Sequence, residues 1–384
     1  MLALPIPLIN SFPRLARSVA LATAVAFAIP GTGGTGSEPS SPVHAVHATY
    51  EVSAGLDGEI YPVFANYASL RDSGNRSWGT IAVKVSNRSR DVLRNRIVVQ
   101  VPGWSDPEIQ TIELPPGESH TYLFAPTFLQ RTYRNREIVA ATAAVTVMDP
   151  SGTVVDQETL PVRLRSVDDL YWGHDFEYAP FIASWVTPHD PAIERLLARA
   201  KEFMPGRRLP GYESSNHAVQ NRSTVRQASA IYRALQEQGV SYVKSSMTLG
   251  DHEEVSERVR MPAESLDRSS ANCIDGAVMY AAIFENLGMQ PEIVLVPGHA
   301  FVGVRVAPES DRYLYIETSL TGRTTFAGAI AAAERTMSRF TPSQKIRISI
   351  REARLNGIYP MPSGETDSRA PVLDASRTLG HPGS

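Results

Sequence analysis

Residues 272 to 320 read NCIDGAVMYAAIFENLGMQPEIVLVPGHAFVGVRVAPESDRYLYIETSL, and the parsing of this run decides the fold. It holds the single cysteine of the 384-residue chain. After Cys273, the apolar residues Ile274, Ala277, Val278, Ala281 and Phe284 recur at helical spacing, and Gly288 stands where a left-handed C-terminal cap ends such a helix. Asn272 and Asp275 stand three apart at its start, which predicts Asn272 as N-cap with an acidic partner in the first turn. Cys273 is then the first helical residue. There the free backbone N–H groups and the positive end of the helix dipole favour thiolate over thiol.

Glu292 to Val296 is a short apolar run of strand type, followed by the turn Pro297-Gly298 and a second run, His299 to Val306. A loop around Ala307 to Asp311 returns the chain into Tyr313 to Glu317. If the last two runs form a hairpin centred near Pro308, residues whose numbers sum to about 616 lie opposite one another. Val302 then faces Ile316 and Val304 faces Leu314, while the other face sets His299 beside Glu317 and Arg305 beside Asp311. A slip of two residues keeps these faces and a slip of one mixes them, so the pattern defines the face better than the register. The product is a thiol at a helix start, an imidazole entering a strand and a carboxylate ending its neighbour. Those are the nucleophile, base and orienting acid of covalent catalysis. The backbone N–H of Cys273 is one oxyanion donor. Asn272, Tyr242 and Gln227 are candidates for the second, and Asp275 also lines the site.

These residues resemble the transglutaminase-like superfamily, whose core places a catalytic Cys at the start of a helix and then His and Asp on successive strands. The likeness is carried by Asn272-Cys273, the helix ending in Leu287-Gly288-Met289, His299-Ala-Phe-Val and Tyr315-Ile-Glu317-Thr. Two departures stand out: the third member is Glu rather than Asp, and only 26 positions separate Cys273 from His299. The resemblance implies thiolate attack on an amide, an acyl-enzyme, and transfer to water or an amine, without a cofactor.

Working outward, Asp190-Pro191 opens a helix as N-cap and first position, with Ile193, Leu196, Leu197, Ala200 and Phe203 on one face. A second helix runs from about Ala218 to Gln238, a third from Thr324 to Phe340, and Lys345 to Ile350 alternates as a strand. Helices on one side of an antiparallel sheet suit a papain-like α+β domain over 167–361. Asp267 to Ala271 reads as a lid or a plain loop. The stretch Val167 to Thr187 carries Tyr171, Trp172, Phe176, Tyr178, Phe181 and Trp185, which read as packing between domains or as a wall of the cleft.

From 49 to 166 the period is two. Ile81, Val83 and Val85, Ile97 to Val101, Thr121 to Phe124, and Val145 with Val147 are separated by the turn signals Asn87-Arg-Ser-Arg, Pro115-Pro-Gly117 and Asp149-Pro-Ser-Gly152. This spacing predicts an all-β sandwich of immunoglobulin-like type, with Trp78, Trp104 and His120 as packing or surface residues. Residues 1–48 read as a signal peptide and linker, with Arg14 and Arg17 ahead of the apolar run Ser18 to Pro30. That run is too short for a membrane span. Residues 362–384 are Pro, Gly, Ser and charge, and predict a disordered tail.

A net charge of −3 with no basic run excludes an electrostatic case for nucleic acid. No His or Cys pair stands at metal-ligand spacing near an acidic residue. The expectation is therefore a multidomain, secreted or periplasmic protein acting through Cys273, His299 and Glu317 on a protein, peptide or cell-wall amide, with hydrolysis preferred over cross-linking. The alternative is a catalytically idle transglutaminase-like fold that binds envelope polymers or partner proteins.

Overall fold

The computed structural model describes residues 47–70, 78–214, 216–244 and 256–362. The leader up to residue 46, the tail from residue 363 and His252 lie outside them. The chain is mixed α and β, with five sheets among the described residues.

The first part of the chain forms β1 (Ala48–Ala54), β2 (Glu59–Ile60), α1 (Pro62–Ser69), β3 (Ile81–Asn87), β4 (Leu93–Gln100), β5 (Glu108–Leu114), β6 (Ser119–Phe124), β7 (Val139–Met148) and β8 (Val154–Leu164). They build a three-stranded sheet, β1-β3-β6, and a five-stranded sheet, β2-β8-β7-β4-β5. Alternation explains the packing: Ile81, Val83 and Val85, Ile97 and Val99, and Val145 and Val147 are all buried. The three turn signals connect β3 to β4, β5 to β6 and β7 to β8. Asn87 holds the first by donating from Nδ2 to the carbonyls of Asp91 and Leu114. Asp149 holds the last by accepting from the N–H groups of Ser151 and Thr153.

The expectation of strands alone between 49 and 166 is corrected by α1. Pro62 sits at its first position, and Val63, Phe64, Tyr67 and Ala68 are all buried, a helical grouping that the period-two reading passed over. Trp78 packs against Phe64 at 5.2 Å, Trp104 lies under the Arg131 guanidinium, and exposed His120 touches Tyr122, so all three are packing or surface residues.

The second part adds β9 (Asp169–Tyr171), α2 (Pro191–Ala200), α3 (His217–Glu237), β10 (Ser241–Tyr242), β11 (Ser256–Arg258), α4 (Pro262–Asp267), β12 (Ser270–Ala271), α5 (Cys273–Asn286), β13 (Pro291–Val296), β14 (His299–Arg305), β15 (Tyr313–Ile316), α6 (Phe326–Arg339), β16 (Ile346–Ser349) and α7 (Ile350–Leu355). Asp190 caps α2 by accepting from Ala192 N–H, as its Asp-Pro start predicts. An antiparallel sheet in the order β15-β14-β13-β16 forms the centre. Ile293, Leu295, Ala300, Val302, Val304, Leu314 and Ile316 join the main core with α5. Val294, Val296 and Phe301 point the other way and pack with Ala333 of α6. The sheet is therefore held between two helices.

The expected pairs Val302 with Ile316 and Val304 with Leu314 are present. Arg305 pairs with Tyr313 rather than Asp311, because the register that sets Val302 opposite Ile316 and Val304 opposite Leu314 also sets residue 305 opposite 313 and leaves Asp311 outside the ladder. Asp267 to Ala271 ends α4, turns through Ser269 at φ 46°, and enters β12, which pairs in parallel with β10. No helix among the described residues is long and apolar enough to cross a membrane. One buried cluster runs from Ile60 to Met361. Phe181 of the aromatic bridge meets Phe64 and Tyr67 of α1 at 4.9 and 5.0 Å between ring centres.

Candidate functional site

Cys273 is the first residue of α5, and its position is set by a capping box. Asn272 Oδ1 accepts from the N–H of Asp275 at 2.8 Å, and the Asp275 carboxylate accepts in return from the N–H of Asn272 at 3.4 Å. Asp275 Oδ1 also accepts from the N–H of Arg260 at 2.9 Å, so the helix start is tied to the segment before α4. Burial raises the Asp275 carboxyl, against the lowering effect of these backbone donors. Asn272 and Asp275 thus build the platform on which Cys273 stands. Gly276 serves the same platform, because a Cβ there would meet the Thr318 hydroxyl at 2.8 Å.

His299 starts β14, directly after the turn in which Gly298 adopts φ 73°. Its Nε2 lies 2.7 Å from Glu317 Oε2, and the Cys273 side chain is within hydrogen-bonding reach of the imidazole. With Nε2 turned to the carboxylate, Nδ1 is the nitrogen left for the thiol. Burial alone would push the imidazolium pKa down; hydrogen bonds to Cys273 and Glu317, with the charge of both, carry it up to about 10.

Glu317 follows the last residue of β15 and caps the 3-10 turn Thr318–Leu320. Its second oxygen, Oε1, accepts from the N–H of Ser319 at 3.2 Å and from the Ser319 hydroxyl at 2.7 Å. Both carboxylate oxygens are thereby directed, one at the imidazole and one at the turn. Sequence reasoning passed over Ser319. Its only signal was a hydroxyl two residues after a strand-ending carboxylate, the spacing of an Asx-like turn.

Tyr242, in β10, is brought to the site. Its phenol is raised first by burial and then by the charges of Cys273 and Glu317. Gln227 is not brought there. It spends its amide on both backbone groups of Gly211 and on the Ser223 hydroxyl, pinning the loop before α3. Another buried acid, Glu257 of β11, accepts from the indole N–H of Trp172 at 3.2 Å, and its Oε1 has no partner. Burial, opposed by the Trp172 bond and assisted by the charge of Asp275, raises it to about 8. No group of three or more His, Cys, Asp or Glu side chains among the described residues could hold a metal ion.

The site is nearly closed: Cys273 is 4 % exposed and Glu317 5 %, with the imidazole edge as its most open part. Neither a protein-family model nor a curated protein matches the chain. Among solved structures, the crystal structure of FixG-related protein from Vibrio parahaemolyticus is similar at 17% identity and a TM-score of 0.19, over 32% of this chain and 98% of that one. A likeness of that size carries no argument about fold or chemistry.

Proposed function

We propose that the chain is a thiol-dependent amide hydrolase or acyltransferase of transglutaminase-like type, acting outside the cytoplasm, with an immunoglobulin-like sandwich ahead of the α+β part. The observation that carries the reading is the 2.7 Å bond between His299 Nε2 and Glu317 Oε2, with Cys273 acting on the same imidazole. The Cys273 thiolate attacks the amide carbon, and the oxyanion gathers at the helix-terminal N–H of Cys273. His299, held protonated, gives its Nδ1 proton to the amide nitrogen as the C–N bond breaks and a thioester remains. Water or an amine then attacks that thioester, loses its proton to Nδ1, and releases the acyl group with the thiolate restored. Glu317 stabilises the imidazolium throughout, and Ser319 keeps Glu317 from rotating away.

The burial of Cys273 favours a second reading, an idle fold that serves as an envelope binding module. Alkylation by iodoacetamide, followed by intact mass, separates the two. The enzyme reading expects Cys273 to be modified in the folded protein at pH 7, and about tenfold more slowly in His299→Ala. A thiol that reacts only after unfolding, or equally in both proteins, would overturn it and leave the binding module.

A further inference from the structure

Where β2 and β8 meet the aromatic bridge, a cleft of about 540 Å³ opens, and none of Cys273, His299 and Glu317 lines it. One wall is a stack of three tyrosines. Tyr61 lies on Tyr171 at 5.7 Å and 29°, and Tyr171 lies on Tyr178 at 5.5 Å and 35°. Tyr61 and Tyr178 are buried, so half-buried Tyr171 is the ring that offers surface to the cleft. The charged part of the lining is largely paired within itself, and Arg165 lies over the Tyr61 ring at 5.3 Å. Glu59 meets Arg163 and, at 3.7 Å, Arg165; Arg165 also reaches Asp169 at 3.1 Å and the Ser256 hydroxyl at 3.3 Å.

Two loops bring this lining together, and both do so through unfavourable backbone. Leu56 and Asp57 adopt φ 49° and 52°, and Phe176 adopts φ 57°, a region that non-glycine residues enter only when their surroundings hold them there. Gly173, at φ 76°, contributes by what it lacks, since a Cβ there would overlap the Glu177 carboxyl group. The open space lets Glu177 fold against the backbone, where Oε2 accepts from the N–H of Asp175 at 3.0 Å. Such positions gather where geometry serves a ligand more than it serves stability.

The lining selects the ligand class. Its two guanidinium groups are already ion-paired, so no free cation awaits an anionic partner, while the carboxylates of Asp57 and Glu177 enter no ion pair among the described residues and leave the lining on balance acidic. What it presents is a row of planar acceptors and donors, from Asp57, Glu59, Glu177, Arg163 and exposed His174, beside an aromatic ring. Neighbouring hydroxyls of a sugar match planar carboxylate and guanidinium groups, and the C–H groups of its ring pack on the aromatic carbon that the two neighbouring tyrosines leave uncovered on Tyr171. We propose that this cleft binds an oligosaccharide, with one sugar ring against Tyr171 and its hydroxyls on Glu177, Asp57 and Arg163.

The test is isothermal titration and saturation-transfer NMR of the full chain with three tetrasaccharides: those of N-acetylglucosamine, of β-linked glucose and of α-linked glucose. At least one is expected to bind saturably below about 10 mM. Its affinity is expected to fall about tenfold in Glu177→Gln and in Tyr171→Ala, and less in Asp57→Asn, whose side chain tolerates the left-handed backbone. Glu177→Gln preserves shape, so it decides the matter if Tyr171→Ala does not fold. Cys273→Ser is expected to bind as the parent does, which keeps this result separate from any failure of the thiol chemistry. Absence of saturable binding by all three sugars, binding unmoved by Glu177→Gln, or cleft-dependent binding of inorganic phosphate or a dipeptide instead, would overturn the proposal.

Discussion

His299 and Glu257 are two titratable groups whose folded pKa values lie above their ordinary ones, for opposite structural reasons. The imidazole is raised to about 10 because partners outweigh burial, the carboxyl to about 8 because burial outweighs its single donor. The sign is the same in both: each stabilises the fold while protonated and loses that contribution as pH rises. For Glu257 the window runs from its ordinary value of 4.5 through about 8, and for His299 from 6.5 through about 10. Glu257→Gln keeps an acceptor for the Trp172 indole and removes the charge. Its urea midpoint is therefore expected to match the parent near pH 4.5 and exceed it at pH 9. His299→Gln is expected to flatten the parent's loss of stability between pH 6.5 and 10. Equal slopes in parent and variants would show that neither group titrates in the fold as described.

The element that matters most is the first turn of α5. Its capping box satisfies N–H groups in a buried setting, so loss of either member should cost more than it would on an exposed helix. Asn272→Ala removes the acceptor for one N–H and is expected to cost about 1–2 kcal/mol. Asp275→Ala removes the acceptor for two, those of Asn272 and Arg260, and is expected to cost about 2–4 kcal/mol in chemical denaturation. The order of the two is the discriminating result. A larger loss in Asn272→Ala would mean that the bond to Arg260 contributes little. The helix itself was legible in advance, because Asn272, Asp275 and Gly288 mark its ends by local chemistry alone. α1 was not, since its eight residues sit among strands and its buried face is defined only by what covers it.

Across the whole molecule, the aromatic bridge unites the two parts. Phe181 is fully buried and touches Phe64, Tyr67, Trp78 and Tyr178, which belong to α1, to the segment before β3 and to the bridge itself. Phe181→Ala is expected to cost about 3–5 kcal/mol, and to lower the urea midpoint of the β1–β8 part and of the α5 region together. Hydrogen exchange resolved along the chain would show this. Faster exchange confined to one side of residue 167 would mean that the shared cluster does not couple them.

Sequence alone determined the elements whose instructions are local: the caps of α2 and α5, the turn at Gly298, the alternation of β3, β4 and β7, and the faces of β14 and β15. Each depends on neighbours within a few residues, and period and capping chemistry are readable at that range. Only the tertiary structure decided that Tyr242 joins the Cys273 region while Gln227 braces a loop. It alone showed that Ser319 directs Glu317, that Glu257 is buried against Trp172, and that left-handed loops more than 100 residues apart shape one cleft. These outcomes depend on distant segments meeting. A side chain's role there is set by which polar partner remains within about 3 Å once the apolar faces have been buried.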